Sequence, residues 1–408
     1  MNQKIFQGVN SNNVKEINRT ILLRLMKKYE MCSRADLAKN SGLQPATVTN
    51  IVNDFIDWGL VKETGIINGN KGRRSIGLVL NAEDYVVLGV RITRTYTQIG
   101  MFDLVGNVLA DTRISLDRME GPQSALKKIV RKVNEMVNLD NGKKKLAIGV
   151  AVPGPYFPDE GKMHKLTEFP GWDDVSINEI LCQSIDIPVM IDHDANAGAF
   201  AEWWISGNEN FHGTTIYLAV GEGIGAGIVT NGGLFRGSYG TAGEIGHASI
   251  AFDGPKCECG NRGCLTMYAS VLQMMRDIKE KRDDYPNTVL NEEFSFKDVV
   301  KAVKAQDELA CAALKKISRY LAFGIINIIC AYSPDEIIIG DQMSVFGDTL
   351  IGEIRKIVNQ HTIARFSELT KIKTSELEND SAFLGAGALA IDYVLKNSSM
   401  FESKTKQV

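Results

Sequence analysis

The sequence predicts an α/β protein: a small helical head with a basic β-hairpin, followed by a two-lobed body around a cleft. Three observations predict it. Apolar residues first recur at helical spacing and then alternate along two short strands. From residue 82 onward, short β runs alternate with amphipathic stretches. Charge is also divided unevenly, since residues 1–81 hold 12 Lys and Arg against 6 Asp and Glu. That gives the head +6 and, for a net charge of −3, leaves −9 on the remainder. A basic head suits a polyanionic partner, although a solvated lysine-rich surface explains the charge alone.

A chain of 408 residues suggests about three domains. The expected boundaries are 1–81 for the head, 82–195 for a first lobe completed by 383–396, and 196–382 for a second lobe. Residues 397–408 read as a polar tail. No apolar run reaches the ~18 residues of a membrane span, and no secretory hydrophobic segment opens the chain, so the expected compartment is the cytoplasm. Of the 7 cysteines, Cys257, Cys259 and Cys264 crowd together, which suits a metal site better than a disulfide framework.

In the head, Ile17, Ile21, Leu22 and Leu25 mark a first helix from Val14 to Lys28. Ser33 suits the N-cap of a second, Arg34–Asn40. After the turn Ser41-Gly42-Leu43, Gln44-Pro45 starts a third, with proline where its missing N–H costs nothing. Val48, Ile51, Val52, Phe55 and Ile56 form its apolar stripe. Gln44, Pro45, Ala46, Thr47, Thr49, Asn50 and Asn53 are left on or beside the outward face, a set suited to base edges and phosphates. Two strands, Leu60–Glu63 and Ile76–Leu80, flank a Gly/Asn-rich loop carrying Lys71, Arg73 and Arg74, a wing able to reach a minor groove or backbone phosphates. Helix order, turn spacing, basic hairpin and charge asymmetry together describe a winged helix-turn-helix for double-stranded DNA. A three-helix interaction module is the plainer alternative for each feature alone.

In the body, β runs are expected at Lys145–Val152, Pro188–Asp192, Thr214–Val220 and Glu336–Ile339, with helices at Gln123–Val137 and Leu309–Ile329. Asp194, in Ile191-Asp192-His193-Asp194-Ala195-Asn196-Ala197, sits where a strand gives way to a helix. A carboxylate at such a junction either caps the helix or lies at a cleft lip, where it accepts hydrogen bonds from hydroxyls. The turn Gly221-Glu222-Gly223-Ile224-Gly225-Ala226-Gly227 suits phosphate binding or close packing of two lobes; packing is favoured. Gly243-Glu244-Ile245-Gly246-His247 and Cys257-Glu258-Cys259-Gly260-Asn261-Arg262-Gly263-Cys264 supply one imidazole and three thiolates. His247, Cys257, Cys259 and Cys264 therefore match a tetrahedral structural Zn²⁺ site, with a redox-active thiol cluster or buried free cysteines as the rivals. A metal on His247 would also fix the loop that carries Glu244.

These motifs, with the opening Asn13-Val14-Lys15-Glu16-Ile17-Asn18-Arg19, resemble the repressor branch of the ROK family (repressors, open reading frames and kinases), in family order and over nearly the whole chain. The resemblance implies an actin/hexokinase-like, ribonuclease H-like body, a homodimer or dimer of dimers, and repression of sugar-utilisation genes by the head. It places the zinc ligands on His247, Cys257, Cys259 and Cys264, and the sugar contacts on Asp194, Glu244 and His247.

Four positions depart from the family pattern. The family's nucleotide hairpin reads Asp-x-Gly-Gly-Thr; Val90-Arg91-Ile92-Thr93-Arg94-Thr95 puts a cation where Mg²⁺ is handled and side chains where phosphates lie. The family's Asn before the catalytic Asp is His193, the Glu after Gly-Cys-Leu is Thr266, and the Gly-Gly near adenosine is Gly340-Asp341. The first and last imply loss of ATP use, and the middle two an altered ligand. The expected function is a sugar-regulated transcriptional repressor, not an enzyme. The alternatives are an ATP-dependent sugar kinase, kept open by Asp194 as a general base, and a repressor whose body binds a protein partner.

Overall fold

A computed structural model describes residues 11–68, 74–117, 120–164, 170–173, 175–205 and 213–404. The head opens with α1 (Ser11–Tyr29), α2 (Arg34–Ser41) and α3 (Pro45–Asp57), followed by the antiparallel strands β1 (Val61–Asn68) and β2 (Arg74–Leu80). Ser33 caps α2 in a reciprocal box with Asp36, and Pro45 opens α3, both at the positions expected. Both strands run longer than the apolar alternation suggested, because ladder pairing reaches Asn68↔Arg74 at the wing. Lys71 and Arg73 lie outside the described residues.

The first lobe comprises β3 (Tyr85–Ile92), β4 (Tyr96–Asp103), β5 (Val108–Ser115), α4 (Pro122–Val137), β6 (Lys144–Val152), the short β7 (Tyr156–Phe157) and β8 (Lys162–Met163), α5 (Ile177–Ser184) and β9 (Val189–His193), from whose end α6 (Asp194–Ile205) crosses to pack on the second lobe. Its main sheet has the order β5-β4-β3-β6-β9. The first three strands are antiparallel neighbours; β6 and β9 then add in parallel after crossovers.

The second lobe repeats this plan. It contains β10 (Thr214–Val220), β11 (Ile224–Thr230), β12 (Gly233–Leu234), α7 (Thr266–Ala269), α8 (Val271–Lys281), α9 (Phe296–Lys304), α10 (Glu308–Tyr332), β13 (Glu336–Gly340), α11 (Gly347–His361), α12 (Ala364–Leu369) and β14 (Lys371–Thr374). The order β12-β11-β10-β13-β14 carries the same antiparallel-then-parallel pattern. The final helix, α13 (Ser381–Lys396), leaves this lobe and packs on β3 and β6 of the first, against α6.

Each sheet has its own apolar core, around Leu88, Ile129 and Ile148 in the first lobe and around Leu218, Ile325 and Ile337 in the second. A third cluster joins the head to the body: Leu22, Met26 and Phe55 share it with Phe200, Phe383, Ile391 and Val394. The expected polar tail differs from what forms. Ser398–Lys404 is a 3₁₀ turn whose Phe401 is 2% exposed and meets the Tyr85 ring edge-on at 5.2 Å. One aromatic in an otherwise polar stretch suffices to anchor it, because burying such a ring removes well over a hundred Å² from water.

Candidate functional site

All eight residues of β3 are buried, as in a strand covered on both faces. Its one charged residue, Arg91, is 6% exposed and therefore needs a partner. It finds two, from different parts of the chain: Asp380, the N-cap of α13, and Asp341, just after β13, with 3.6 Å between charged atoms. Burial works to lower the Arg91 pKa, but the charges of Asp341 and, more weakly, Asp194 raise it above the ordinary value. The guanidinium is permanently charged.

Two departures read separately from the sequence thus meet in space. Asp341 has φ 58°, a left-handed conformation that glycine adopts freely and that aspartate tolerates better than most residues. Its carboxylate presses on the Gly-rich turn, where a Cβ at Gly221 would lie 2.5 Å from Asp341 Oδ2. Close packing inside the second lobe, between the ends of the paired strands β10 and β13, therefore accounts for that glycine without a phosphate. A second pair, Arg94 with Glu222 at 3.7 Å, joins the β3–β4 hairpin to the same turn.

Beside these pairs opens a cleft of about 160 Å³, lined by Thr93, Gly154, His193, Asp194, Glu244, His247, Thr266 and Gln342 among others. The structure thus brings Asp194, Glu244 and His247 together as the sequence predicts. Asp194 is the first residue of α6 and Glu244 precedes the 3₁₀ turn Ile245–His247. Between the carboxylates stands His193, with Nε2 3.1 Å from Asp194 Oδ1 and Nδ1 3.9 Å from Glu244 Oε1. Burial alone would lower the His193 pKa; its hydrogen bond to Asp194 and the surrounding carboxylate charges instead raise it to about 9. Asp194 moves the other way: burial would raise it, but the His193 bond and charge, then Arg91 and Arg94, hold it below its ordinary value. Asp194 is thereby held as a carboxylate, which accepts hydrogen bonds.

Sequence reading missed the support beneath Asp194. Asp192 is buried; its Oδ1 accepts from the His193 amide and the Asn196 side chain, both at 2.8 Å. Its Oδ2 accepts from Arg236 Nε at 2.9 Å and a second guanidinium nitrogen at 2.5 Å. Arg236 lies 44 residues away in a loop, so no spacing in the sequence signals the pair.

The donor atoms of His247, Cys257, Cys259 and Cys264 lie within 4.8 Å of one another. Cys257 Sγ is 3.6 Å from His247 Nδ1, and Cys259 Sγ 3.7 Å from Cys264 Sγ. Burial raises the Cys257 and Cys264 pKa values, so the thiolate form there calls for a cation. One imidazole and three sulfurs converging on one point fit a tetrahedral metal, and the cluster can hold one.

On the head, Gln44, Pro45, Ala46, Thr49, Asn50 and Asn53 of the α3 region are exposed, as is Arg74 at the wing; Thr47 is half-buried. Asn53 Oδ1 accepts from Arg34 at 3.1 Å, tying α3 to α2. Among the described residues, no helix is long and apolar enough to cross a membrane.

Residues 87–393 match the ROK family. The xylose repressor of Caldicellulosiruptor bescii is 31% identical over 390 residues, 94% of this chain and 97% of that protein. The DNA-binding transcriptional dual regulator NagC of Escherichia coli is 31% identical over 384 residues, 92% of each. The crystal structure of a ROK family transcriptional regulator, a homolog of the Escherichia coli Mlc protein, covers 96% of this chain and 98% of its own with TM-score 0.81 at 26% identity. A ROK family glucokinase from Streptomyces griseus, in complex with glucose and AMPPNP, shares the fold at TM-score 0.67 and 23% identity over 75% of this chain and 99% of its own.

Proposed function

Because the chain belongs to the ROK family, we propose that it is a cytoplasmic, sequence-specific DNA-binding repressor of carbohydrate-utilisation genes, regulated by a sugar in a body that no longer uses ATP. One observation carries the reading. Arg91 sits between Asp380 and Asp341 where magnesium and phosphate would have to be held, while Asp194, Glu244 and His247 still face the cleft. The nucleotide half is occupied by the protein's own charges, and the hydroxyl-binding half is kept.

In this reading Asp194 and Glu244 accept hydrogen bonds from sugar hydroxyls, the ring N–H that His247 keeps when its other nitrogen holds a metal donates to one, and His193 and Thr266 set which sugar fits. His247, Cys257, Cys259 and Cys264 hold a structural Zn²⁺ that fixes the Glu244 loop; the metal supplies rigidity there and no chemistry. Gln44, Pro45, Ala46, Thr47, Thr49, Asn50 and Asn53 enter the major groove, with Lys71, Arg73 and Arg74 on the wing. A homodimer would place two α3 helices in successive major grooves, about 34 Å apart. Sugar releases the operator by binding the non-DNA-binding arrangement more tightly.

The test is a titration of operator DNA with the protein in the presence of pentoses, hexoses and their dimers. At least one sugar is expected to weaken binding by about 5–150-fold. Unchanged affinity across the panel would remove the sensor reading. The kinase reading is favoured only by the retention of Asp194 at the cleft. Sugar-dependent ADP release above background would establish it.

A further inference from the structure

Three side chains of α1 connect the head to the body. Arg24 pairs with buried Asp392 of α13 at 2.5 Å. Lys27 Nζ donates to the Trp204 carbonyl of α6 at 2.8 Å and lies 4.9 Å over the Trp204 ring. Arg19, only 2% exposed, meets Glu402 at 2.9 Å and Asp54 of α3 at 3.0 Å.

The two body helices that receive these contacts both start at the cleft. α6 opens with Asp194, and α13 is capped by Asp380, the partner of Arg91. They are packed without slack, since a Cβ at Gly385 of α13 would lie 1.9 Å from the Ala197 carbonyl oxygen of α6. Glu202 of α6 also accepts from Ser381 of α13 at 2.8 Å. The seam with the head is looser: a cavity of about 250 Å³ is lined by Lys27, Val105, Asn107 and Trp204. A tightly packed helix pair thus meets α1 through the shared apolar cluster of Leu22 and Met26 and, beside open space, through directional polar contacts.

We propose that Arg24 and Lys27 are positioning residues through which α6 and α13 set the placement of α1 according to the state of the cleft, and that Arg19 passes this placement to α3 through Asp54. The inference rests on the reading of the head as DNA-binding. Coupling between two sites is reciprocal, so DNA bound at the head must register in the cleft even when the effector is unknown.

The experiment uses full-length protein and duplexes selected from a random pool for binding to it. Hydrogen exchange is followed at residues 194–197 and 221–225 with and without duplex. In the wild type, exchange there changes several-fold on adding duplex; in Arg24→Met it changes by less than about twofold, and Arg24→Lys recovers most of the response. Asp392→Asn removes the same pair without changing side-chain shape, together with the Lys396 pair inside α13 at 2.6 Å, and gives the same loss should Arg24→Met fold poorly. Lys396→Met, which removes only the latter pair, keeps the response. Sugar-free affinity for the duplex stays within about threefold in both variants, because the pair faces the body. Unchanged cleft exchange in wild type saturated with duplex, or a full response in both variants, overturns the inference. Failure to select any duplex overturns the reading of the head instead.

Discussion

At the scale of the residue, the body turns on Arg91. An arginine in a strand buried on both faces is tolerated only with its charge compensated, and here the compensation comes from Asp341 and Asp380 on separate elements. Arg91→Ala leaves two carboxylates facing a cavity, and we expect a loss of about 3–5 kcal/mol in chemical denaturation. A loss below about 1 kcal/mol would show that the pair is not integral to the fold. His193 gives a pH signature. Its folded pKa of about 9 lies above the ordinary value of 6.5, so its contribution is complete below about 6.5 and disappears as pH rises through about 9. Between those limits the wild type loses stability relative to His193→Asn; parallel pH profiles would contradict the assignment. The sequence marked Arg91, His193 and Asp341 as departures but could not pair them, because 250 residues of chain separate Arg91 from Asp341 and no periodicity spans that distance. Asp192 with Arg236 stayed hidden for the same reason.

At the scale of the element, the head was legible because its signals are local. The Ser33 cap, the Pro45 start and the Val48–Phe55 stripe each fix structure within a few residues. For α13 the sequence analysis already expected 383–396 to complete the first lobe; what stayed hidden is the contact of Gly385 with Ala197 that sets the helix against α6, because nearly 190 residues of chain separate the two. On α3, Asn50→Ala should cost about 1–3 kcal/mol on the preferred operator and relax specificity, whereas Arg74→Ala should weaken all duplexes alike and lower the salt slope by about one. Equal losses on preferred and random duplexes for Asn50→Ala would remove it from base contact. In the cysteine loop, elemental analysis should find one zinc per chain, and Cys257→Ala should lose it together with the sugar response. An intact, responsive protein without metal would remove zinc from the account.

At the scale of the molecule, two lobes of one duplicated plan enclose a cleft whose halves have diverged. In the proposed reading, Asp194 and Glu244, which line the cleft, serve one half for hydroxyl groups. Arg91 with Asp380 and Asp341, and Arg94 with Glu222, draw the other half together from within. In a phosphoryl-transfer enzyme that half must open to a polyanion and its metal. The helices that line the join lead onward to α1, which places the head where closure of the cleft can be felt. The most direct measurement is a calorimetric titration of the zinc-loaded protein with Mg·ATP, alone and with saturating sugar. The account predicts no binding heat at millimolar nucleotide in either case; saturable uptake with micromolar affinity would contradict it.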